Sequence, residues 1–149
     1  MLGQDFIDLL QLFQQFGVRY LLVGGHAVSI YATPRYTKDL DLWVQRTPEN
    51  ASKILAALRA FGFGSLSLTE TDFLTPEFVV QLGVEPMRID LITDLIPLAF
   101  DACWERRLDI DLAGTPVTLI GIDDLIENKE RAGRLRDLAD AEDLRRRRG

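Results

Sequence analysis

The sequence predicts an α/β protein of the α+β kind, with a mixed or antiparallel central sheet flanked by helices. Stretches with apolar residues at helical spacing alternate with short apolar runs typical of strands. Several of these runs follow one another through turns, as in hairpins, and the chain ends in a strongly helical segment. We therefore expect one domain over 1–149, made of a sheet-bearing core, 1–120, and a C-terminal helical segment, 121–149.

The first half of the chain alternates helices and strands. The first helix carries apolar residues on one face and should stop at Gly17. DLDLWVQ, 39–45, alternates acidic and apolar residues at period two, which is typical of a strand. The predicted elements are helix 4–16, strand 18–23, helix 26–31, strand 39–45 and a helix that begins at Thr47 and Pro48.

The second half begins with a polar, glycine-bearing stretch, 62–77, which we expect to be a loop containing a weak strand. Two apolar runs then predict a hairpin around Glu85 and Pro86, and Gly133 should divide the last helical segment in two. The predicted elements are strands 78–84 and 87–93, a short helix 97–106, strands 108–112 and 116–120, and helices within 122–148.

Composition narrows the class of protein. The formal charge of −6 does not favour nucleic-acid binding by the surface as a whole. A single cysteine, Cys103, excludes an internal disulfide and a cysteine-rich zinc site, and it fits a small core residue in a reducing compartment. No run approaches the ~20 apolar residues of a membrane span, and the N-terminus does not read as a signal peptide. We expect a cytoplasmic protein without membrane contact.

Two acids in an otherwise apolar strand are the most informative feature. Asp39 and Asp41 lie two residues apart, so a strand would point both side chains to the same face. Asp90 stands between Ile89 and Leu91 in a second predicted strand. If the strands are neighbours, the three carboxylates could hold Mg²⁺ or Mn²⁺, which prefer oxygen ligands. The alternative is that the two acids line a solvated face of an antiparallel sheet.

A glycine pair precedes these acids. Gly24 and Gly25 join the first strand to a short helix, where the backbone can turn sharply and free N–H groups can bind an anion. Taken alone, such a pair is more often only a turn. Together with the acids it suggests a phosphate site beside a metal site.

These residues carry a resemblance to a known superfamily. The apolar-Gly-Gly motif, thirteen residues and then Asp-apolar-Asp-apolar resemble the signature of the nucleotidyltransferases that include DNA polymerase beta. Asp90 matches the third carboxylate of that superfamily. The runs RYTKDLDL, 35–42, and ENKERAGRLRDLADAEDL, 127–144, more narrowly resemble minimal nucleotidyltransferases of the AbiEii type, from bacterial toxin–antitoxin and abortive-infection systems.

The resemblance implies a nucleotidyltransferase fold and a set of roles. Asp39 and Asp41 would hold metal ions, and Asp90 would help bind the second metal and draw the proton from the attacking hydroxyl. Many relatives have serine at the second glycine position, so phosphate binding here would lean more on backbone. The implied nucleotide-binding residues are Gly24, Gly25, Arg35, Lys38 and Lys129, with Arg134 as an alternative to Lys129.

Other polar residues have simpler interpretations. We expect His26 to be satisfied by local hydrogen bonds rather than to contact substrate, and Thr37 to be structural. Arg145 to Arg148 suit a helix C-terminus, although four consecutive arginines could also bind an RNA backbone.

The leading functional hypothesis is therefore a metal-dependent nucleotidyltransferase. It would move a nucleoside monophosphate from a nucleoside triphosphate to a hydroxyl of RNA, protein or a small molecule, in a toxin–antitoxin system or elsewhere. One alternative is an inactive binding module of the same fold, or a toxin–antitoxin partner protein. Another is a metal-dependent phosphatase or nuclease, against which stands the presence of only one histidine. A small partner protein or a second subunit could complete the cleft.

Overall fold

The computed structural model describes residues 3–64, 67–83 and 88–149, and its centre is a six-stranded mixed sheet. The strands are β1, Tyr20–Val23; β2, Leu40–Val44; β3, Val79–Leu82; β4, Ile89–Ile92; β5, Leu108–Leu112; and β6, Thr115–Leu119. Their order across the sheet is β3-β4-β2-β1-β6-β5. Strand β2 is parallel to β4, β1 is parallel to β6, and the other neighbours are antiparallel. The predicted mixed sheet is confirmed.

Six α-helices flank the sheet in the described part of the chain. They are α1, Gln4–Phe16; α2, Gly24–Tyr31; α3, Pro48–Leu58; α4, Phe100–Glu105; α5, Ile122–Ala132; and α6, Leu135–Arg148. Helix α1 ends at Gly17, whose φ of 71° is the left-handed conformation that favours glycine. Helix α3 begins at Thr47, whose hydroxyl accepts a 3.2 Å hydrogen bond from the Asn50 N–H. Both helix-end predictions are confirmed.

The hydrophobic core lies against the middle strands. Every residue of β1 is buried, as are Leu40, Leu42, Trp43 and Val44 of β2. Helix α1 covers the sheet with four buried side chains at helical spacing, namely Phe6, Leu9, Leu10 and Phe13. None of the helices in the described residues is long and apolar enough to cross a membrane.

Three predicted elements differ from the structure. The stretch 62–77 holds a 3₁₀ turn, Glu70–Phe73, and no strand among its described residues. The turn forms because Asp72 accepts a 2.8 Å hydrogen bond from the Thr69 N–H, a capping box that satisfies its first N–H groups. Helix α2 begins two residues earlier than predicted, directly after β1, and α4 begins only at Phe100. The hairpin of β3 and β4 is present, while its predicted turn at Glu85 and Pro86 lies outside the described residues.

The last two helices are fixed to the rest of the fold by apolar contacts and by ion pairs. Their core residues are Leu125, Ile126, Ala141 and Leu144. The two helices bend at Gly133, which has a φ of 74°, as the sequence predicted. Asp124 in α5 is buried and accepts two 2.9 Å hydrogen bonds from the Arg106 guanidinium. Asp140 in α6 pairs with Arg35, which lies between α2 and β2. The pair of Arg35 with Asp140 brings α6 next to the segment between α2 and β2.

Candidate active site

Three carboxylates meet on two neighbouring strands. Strands β2 and β4 are parallel and in register, so that Asp41 lies directly opposite Asp90. Asp39 immediately precedes β2, where the Leu40 N–H donates a 3.0 Å hydrogen bond to the Arg88 carbonyl oxygen. Because side chains on a strand alternate, Asp39 and Asp41 face the same side of the sheet. We call Asp39, Asp41 and Asp90 the acidic cluster.

Arg88 forms ion pairs with this cluster, a contact that was not predicted from the sequence. Its Nη2 lies 2.8 Å from Asp39 Oδ2 and 3.3 Å from Asp90 Oδ2. Its Nε lies 3.2 Å from Asp90 Oδ1, so one guanidinium bridges two acids. The available signal was its spacing, since a residue two positions before Asp90 on a strand shares the face of Asp90.

Burial and neighbouring like charges both act on Asp41. Burial, then the nearby charges of Asp90 and Asp39, raise the pKa of Asp41 to about 7, against an opposing effect of Lys129. Asp39 Oδ1 is buried and accepts no hydrogen bond within the described ranges, and the contact of Asp90 Oδ1 with the Arg88 Nε is an ion pair without hydrogen-bond geometry. Unsatisfied buried carboxylate oxygens are costly, and this is the environment in which a cation is stabilised.

The glycine turn touches the acidic cluster directly. Gly24 has a φ of 69°, and a Cβ at this position would lie 3.1 Å from both Cβ and Cγ of Asp41, and closer still to Oδ2. Gly24 is therefore required twice, for its backbone conformation and for the space that Asp41 occupies. The register of β1 against β2, with Val23 opposite Asp41, sets this close approach.

Gly24→Ala should consequently destabilise the protein and remove the function of the site. The added methyl group must displace the Asp41 carboxylate, so we expect a loss of about 2 kcal/mol or more in the free energy of unfolding. Gly114→Ala is the matched control, because Gly114 also has a positive φ, 87°, but has open space around it. It should cost only about 1 kcal/mol. Chemical denaturation measures both variants. If Gly24→Ala and Gly114→Ala lower the free energy of unfolding equally, the collision with Asp41 has no effect on stability.

A cavity of about 780 Å³ lies over the acidic cluster and the glycine turn. Its walls include all of the residues to which the sequence analysis gave a role, namely Gly24, Gly25, Arg35, Lys38, Asp39, Asp41, Asp90 and Lys129. Arg134 also lines it, as do Arg88 and Arg136, which the sequence analysis did not propose. The molecule is acidic overall, but this cavity gathers six cationic side chains.

Two buried acids of α6 hold several of these cations. Asp140 accepts hydrogen bonds of 2.6 and 3.2 Å from the Arg35 guanidinium and lies 3.3 Å from the Lys129 Nζ. Asp137 lies 3.4 Å from the Lys129 Nζ and 2.7 Å from the Arg134 Nε. Burial raises the pKa of Asp137, but Arg134 and Lys129 outweigh it and keep that pKa below its usual range. Arg35 and Lys129 are thus positioned before any substrate arrives.

His26 and Cys103 differ in how they match expectation. Cys103 is a free, buried thiol whose pKa is raised to about 11, mainly by burial, as suits a core residue. The prediction that local hydrogen bonds satisfy His26 is wrong. Its buried Nε2 has no hydrogen-bond partner in the part of the chain that the structure describes. Its ring meets the edge of Phe6, and burial lowers its pKa to about 4.

The C-terminal arginines are engaged within the fold. Arg145 pairs with Glu130, and Arg148 lies 2.7 Å from Asp123. Arg146 and Arg147 pair with acids of their own helix, as i,i+3 and i,i+4 neighbours. These ion pairs agree with a solvated helix end. They give no support to the alternative that the four arginines bind RNA.

Comparison with solved structures identifies the fold. A protein assigned as a nucleotidyltransferase, TM1012 from Thermotoga maritima, superposes with a TM-score of 0.63 at 13% identity, over 98% of this chain and 94% of that chain. ANT(2″)-Ia in complex with adenylyl-2″-tobramycin gives a TM-score of 0.63 at 13% identity, over 97% and 87%. The lincosamide antibiotic adenylyltransferase LnuA, lincomycin-bound, gives 0.58 at 14% identity, over 97% of both chains. At such identities the likeness shows the nucleotidyltransferase fold alone.

Sequence comparison gives the family. No curated protein matched the chain. A model of the family described as "Nucleotidyl transferase of unknown function (DUF2204)" matches residues 3–147, nearly the whole sequence. The chain therefore belongs to this nucleotidyl transferase family.

Proposed function

We propose that this chain is a metal-dependent nucleotidyltransferase, which transfers a nucleoside monophosphate from a nucleoside triphosphate to a hydroxyl acceptor and releases pyrophosphate. The observation that carries the proposal is the acidic cluster beside the glycine turn, within a cavity lined by cations. Carboxylates and cations in one cavity suit a substrate that is itself a metal–phosphate complex.

The residues present fit Mg²⁺ or Mn²⁺. The donors are hard carboxylate oxygens, Asp39 Oδ1 is buried without a hydrogen bond among the described residues, and burial together with Asp90 and Asp39 raises the pKa of Asp41. Within the described ranges, no three acids, cysteines or histidines stand ready to hold an ion, and the Arg88 guanidinium lies between Asp39 and Asp90. Asp39, Asp41 and Asp90 would hold the metal once Arg88 yields its place. A bound ion would neutralise charge on the phosphates and on the leaving pyrophosphate.

The remaining chemistry falls to the chain's own groups. The acceptor oxygen forms a bond to the α-phosphorus while the bond from this phosphorus to the bridging oxygen breaks, and pyrophosphate leaves. Asp90 receives the proton of the attacking hydroxyl. Arg35, Lys38 and Lys129 bind the phosphates, and the N–H groups at the start of α2 donate hydrogen bonds to a phosphate oxygen close to Gly25.

A direct assay tests this proposal. The protein is incubated with each α-labelled nucleoside triphosphate, with Mg²⁺ or Mn²⁺, and with candidate acceptors of three classes: RNA, protein and hydroxyl-bearing small molecules. We expect label on an acceptor together with an equal amount of pyrophosphate, and neither in the presence of EDTA. Release of inorganic phosphate without labelled acceptor would instead identify a hydrolase.

One observation favours a second candidate, an inactive binding module of the same fold. Arg88 pairs with Asp39 and Asp90 and so neutralises part of the negative charge of the acidic cluster. A site that no longer binds a metal ion would need such an internal cation. Calorimetry separates the two, because a module of this kind should bind no nucleoside triphosphate in a metal-dependent way. A place in a toxin–antitoxin pair rests on the AbiEii-type resemblance of 35–42 and 127–144 alone. The neighbouring gene, if it encodes a small helical partner, would support it.

Small hydroxyl-bearing molecules are the acceptor class that solved structures of the same fold support. Two of the solved structures that share this fold are described as an adenylyltransferase bound to lincomycin and as a complex with an adenylylated tobramycin. The cavity here, at about 780 Å³, has room for a drug-sized ligand or for a nucleotide with part of an acceptor.

A further inference from the structure

Gly25 is a glycine whose backbone does not require one. Gly24 has a positive φ, whereas Gly25 is not among the residues with positive φ, so an L-side chain would be compatible with its conformation. The obstacle is a neighbour. A Cβ on Gly25 would lie 2.8 Å from Cγ2 of Thr37 and 3.3 Å from its Oγ1. Thr37 therefore fills the space that a side chain at position 25 would use.

The Thr37 hydroxyl is also available to a ligand. It makes a hydrogen bond to the Arg35 carbonyl oxygen at 3.5 Å, which is long for an O–H donor. The Arg35 Nη2 lies 3.5 Å from the same point above Gly25, and both residues line the cavity of the acidic cluster. A hydroxyl and a guanidinium thus lie beside Gly25 in the first turn of α2, and both are donors that suit a phosphate oxygen.

We infer that Thr37 is a phosphate-binding residue, whose hydroxyl donates a hydrogen bond to the triphosphate above Gly25. Positions 25 and 37 compete for one space, so the hydroxyl at this place can come from either residue but not from both. In this chain Gly25 leaves the space and Thr37 supplies the hydroxyl. The inference rests on the proposed function, and it replaces the purely structural role expected for Thr37.

Two substitutions separate the hydroxyl from the shape of the side chain. Thr37→Val keeps the volume against Gly25 and removes the donor, whereas Thr37→Ser keeps the donor and removes the methyl group. We expect Thr37→Val to weaken binding of the Mg²⁺–nucleoside triphosphate at least tenfold, which is on the order of one hydrogen bond to a charged group. Thr37→Ser, which keeps the donor, should weaken binding less than threefold. Calorimetry measures both affinities. Inorganic tripolyphosphate with Mg²⁺ should show the same ratio, because the contact is to phosphate.

A swap tests the competition between the two positions. Gly25→Ser alone should weaken binding, because its Cβ collides with Thr37. Gly25→Ser combined with Thr37→Ala should bind at least fivefold more tightly than Thr37→Ala alone, since the introduced serine hydroxyl then provides the donor. Thr37→Val that binds like the unsubstituted protein would overturn the role of Thr37 only. If the unsubstituted protein binds no metal–triphosphate at all, the proposed function fails as well. Thermal melting of each variant without ligand shows that the fold is retained.

Discussion

Asp41→Asn is expected to abolish nucleotide transfer and, at the same time, to stabilise the protein when no metal is bound. Asn preserves the shape of the side chain but removes the charge that the proposed chemistry needs. We expect the transfer rate to fall by at least about 100-fold, the order of loss when one electrostatic group of an active site is removed. The measurement is the labelled-triphosphate assay under saturating Mg²⁺.

The stability change follows from the pKa of Asp41. Its carboxyl titrates at about 7 in the folded protein against 3.8 ordinarily, mainly because of burial, so the fold favours the protonated form. The contribution to stability is complete below pH ~4 and is lost as the pH rises through 7. At pH 8 the metal-free Asn variant should therefore melt several degrees above the unsubstituted protein, corresponding to about 1–3 kcal/mol. At pH 4 the two should melt together.

Asp109→Asn is the matched control. Asp109 lies on β5, is exposed and pairs with Arg107 at 3.1 Å, outside the cavity of the acidic cluster. It should change neither the transfer rate nor the pH dependence of melting. Unchanged transfer by the Asp41 variant would contradict the role proposed for the acidic cluster, and equal melting at pH 8 would contradict the raised pKa.

Arg88→Gln should destabilise the metal-free protein, in contrast to Asp41→Asn, and should strengthen metal binding. Without the guanidinium, Asp39 and Asp90 lose a shared partner and the three carboxylates repel one another. We expect a loss of about 1–2 kcal/mol in the free energy of unfolding at pH 8, between the values for exposed and buried ion pairs. Because Mn²⁺ no longer competes with a resident cation, its affinity in the absence of nucleotide should rise about tenfold.

Calorimetry with Mn²⁺ and thermal melting with and without the ion measure both effects. Arg46→Gln is the control, since Arg46 pairs with Asp94 at 3.3 Å away from the cavity and is similarly exposed. It should lower stability slightly and leave Mn²⁺ binding unchanged. Weaker Mn²⁺ binding by the Arg88 variant would instead mean that Arg88 holds the carboxylates in place for the ion.

The parts of the fold that were predictable are those governed by local pattern. Helix α1, the cap at Thr47 and the bend at Gly133 each follow from residues adjacent in the chain. The order of the strands does not, because nothing local indicates that β6 pairs with β1 across a long separation. The turn at Glu70–Phe73 was missed since a side-chain capping box outweighed a weak strand pattern.

The candidate site divides in the same way. Period-two spacing identified Asp39, Asp41 and Asp90, and the pairing of β2 with β4 brings them together. Arg88 follows the same spacing, but arginine is not a metal ligand, so the pattern alone gives it no role. The place of Lys129 depends on how α5 and α6 fold back onto the sheet, and the contact of Thr37 with Gly25 depends on a loop whose path no pattern specifies.

The ladder between β1 and β2 has a consequence for how such proteins diversify. Val23 and Asp41 are held opposite each other by backbone hydrogen bonds, so the gap between glycine turn and carboxylate does not depend on the length of 32–38. Insertions there would leave the acidic cluster in place and would displace Arg35, Thr37 and Lys38, the residues proposed to bind the phosphates. Changes in the connecting loop could therefore alter how the substrate is bound while the geometry of the carboxylates stays fixed.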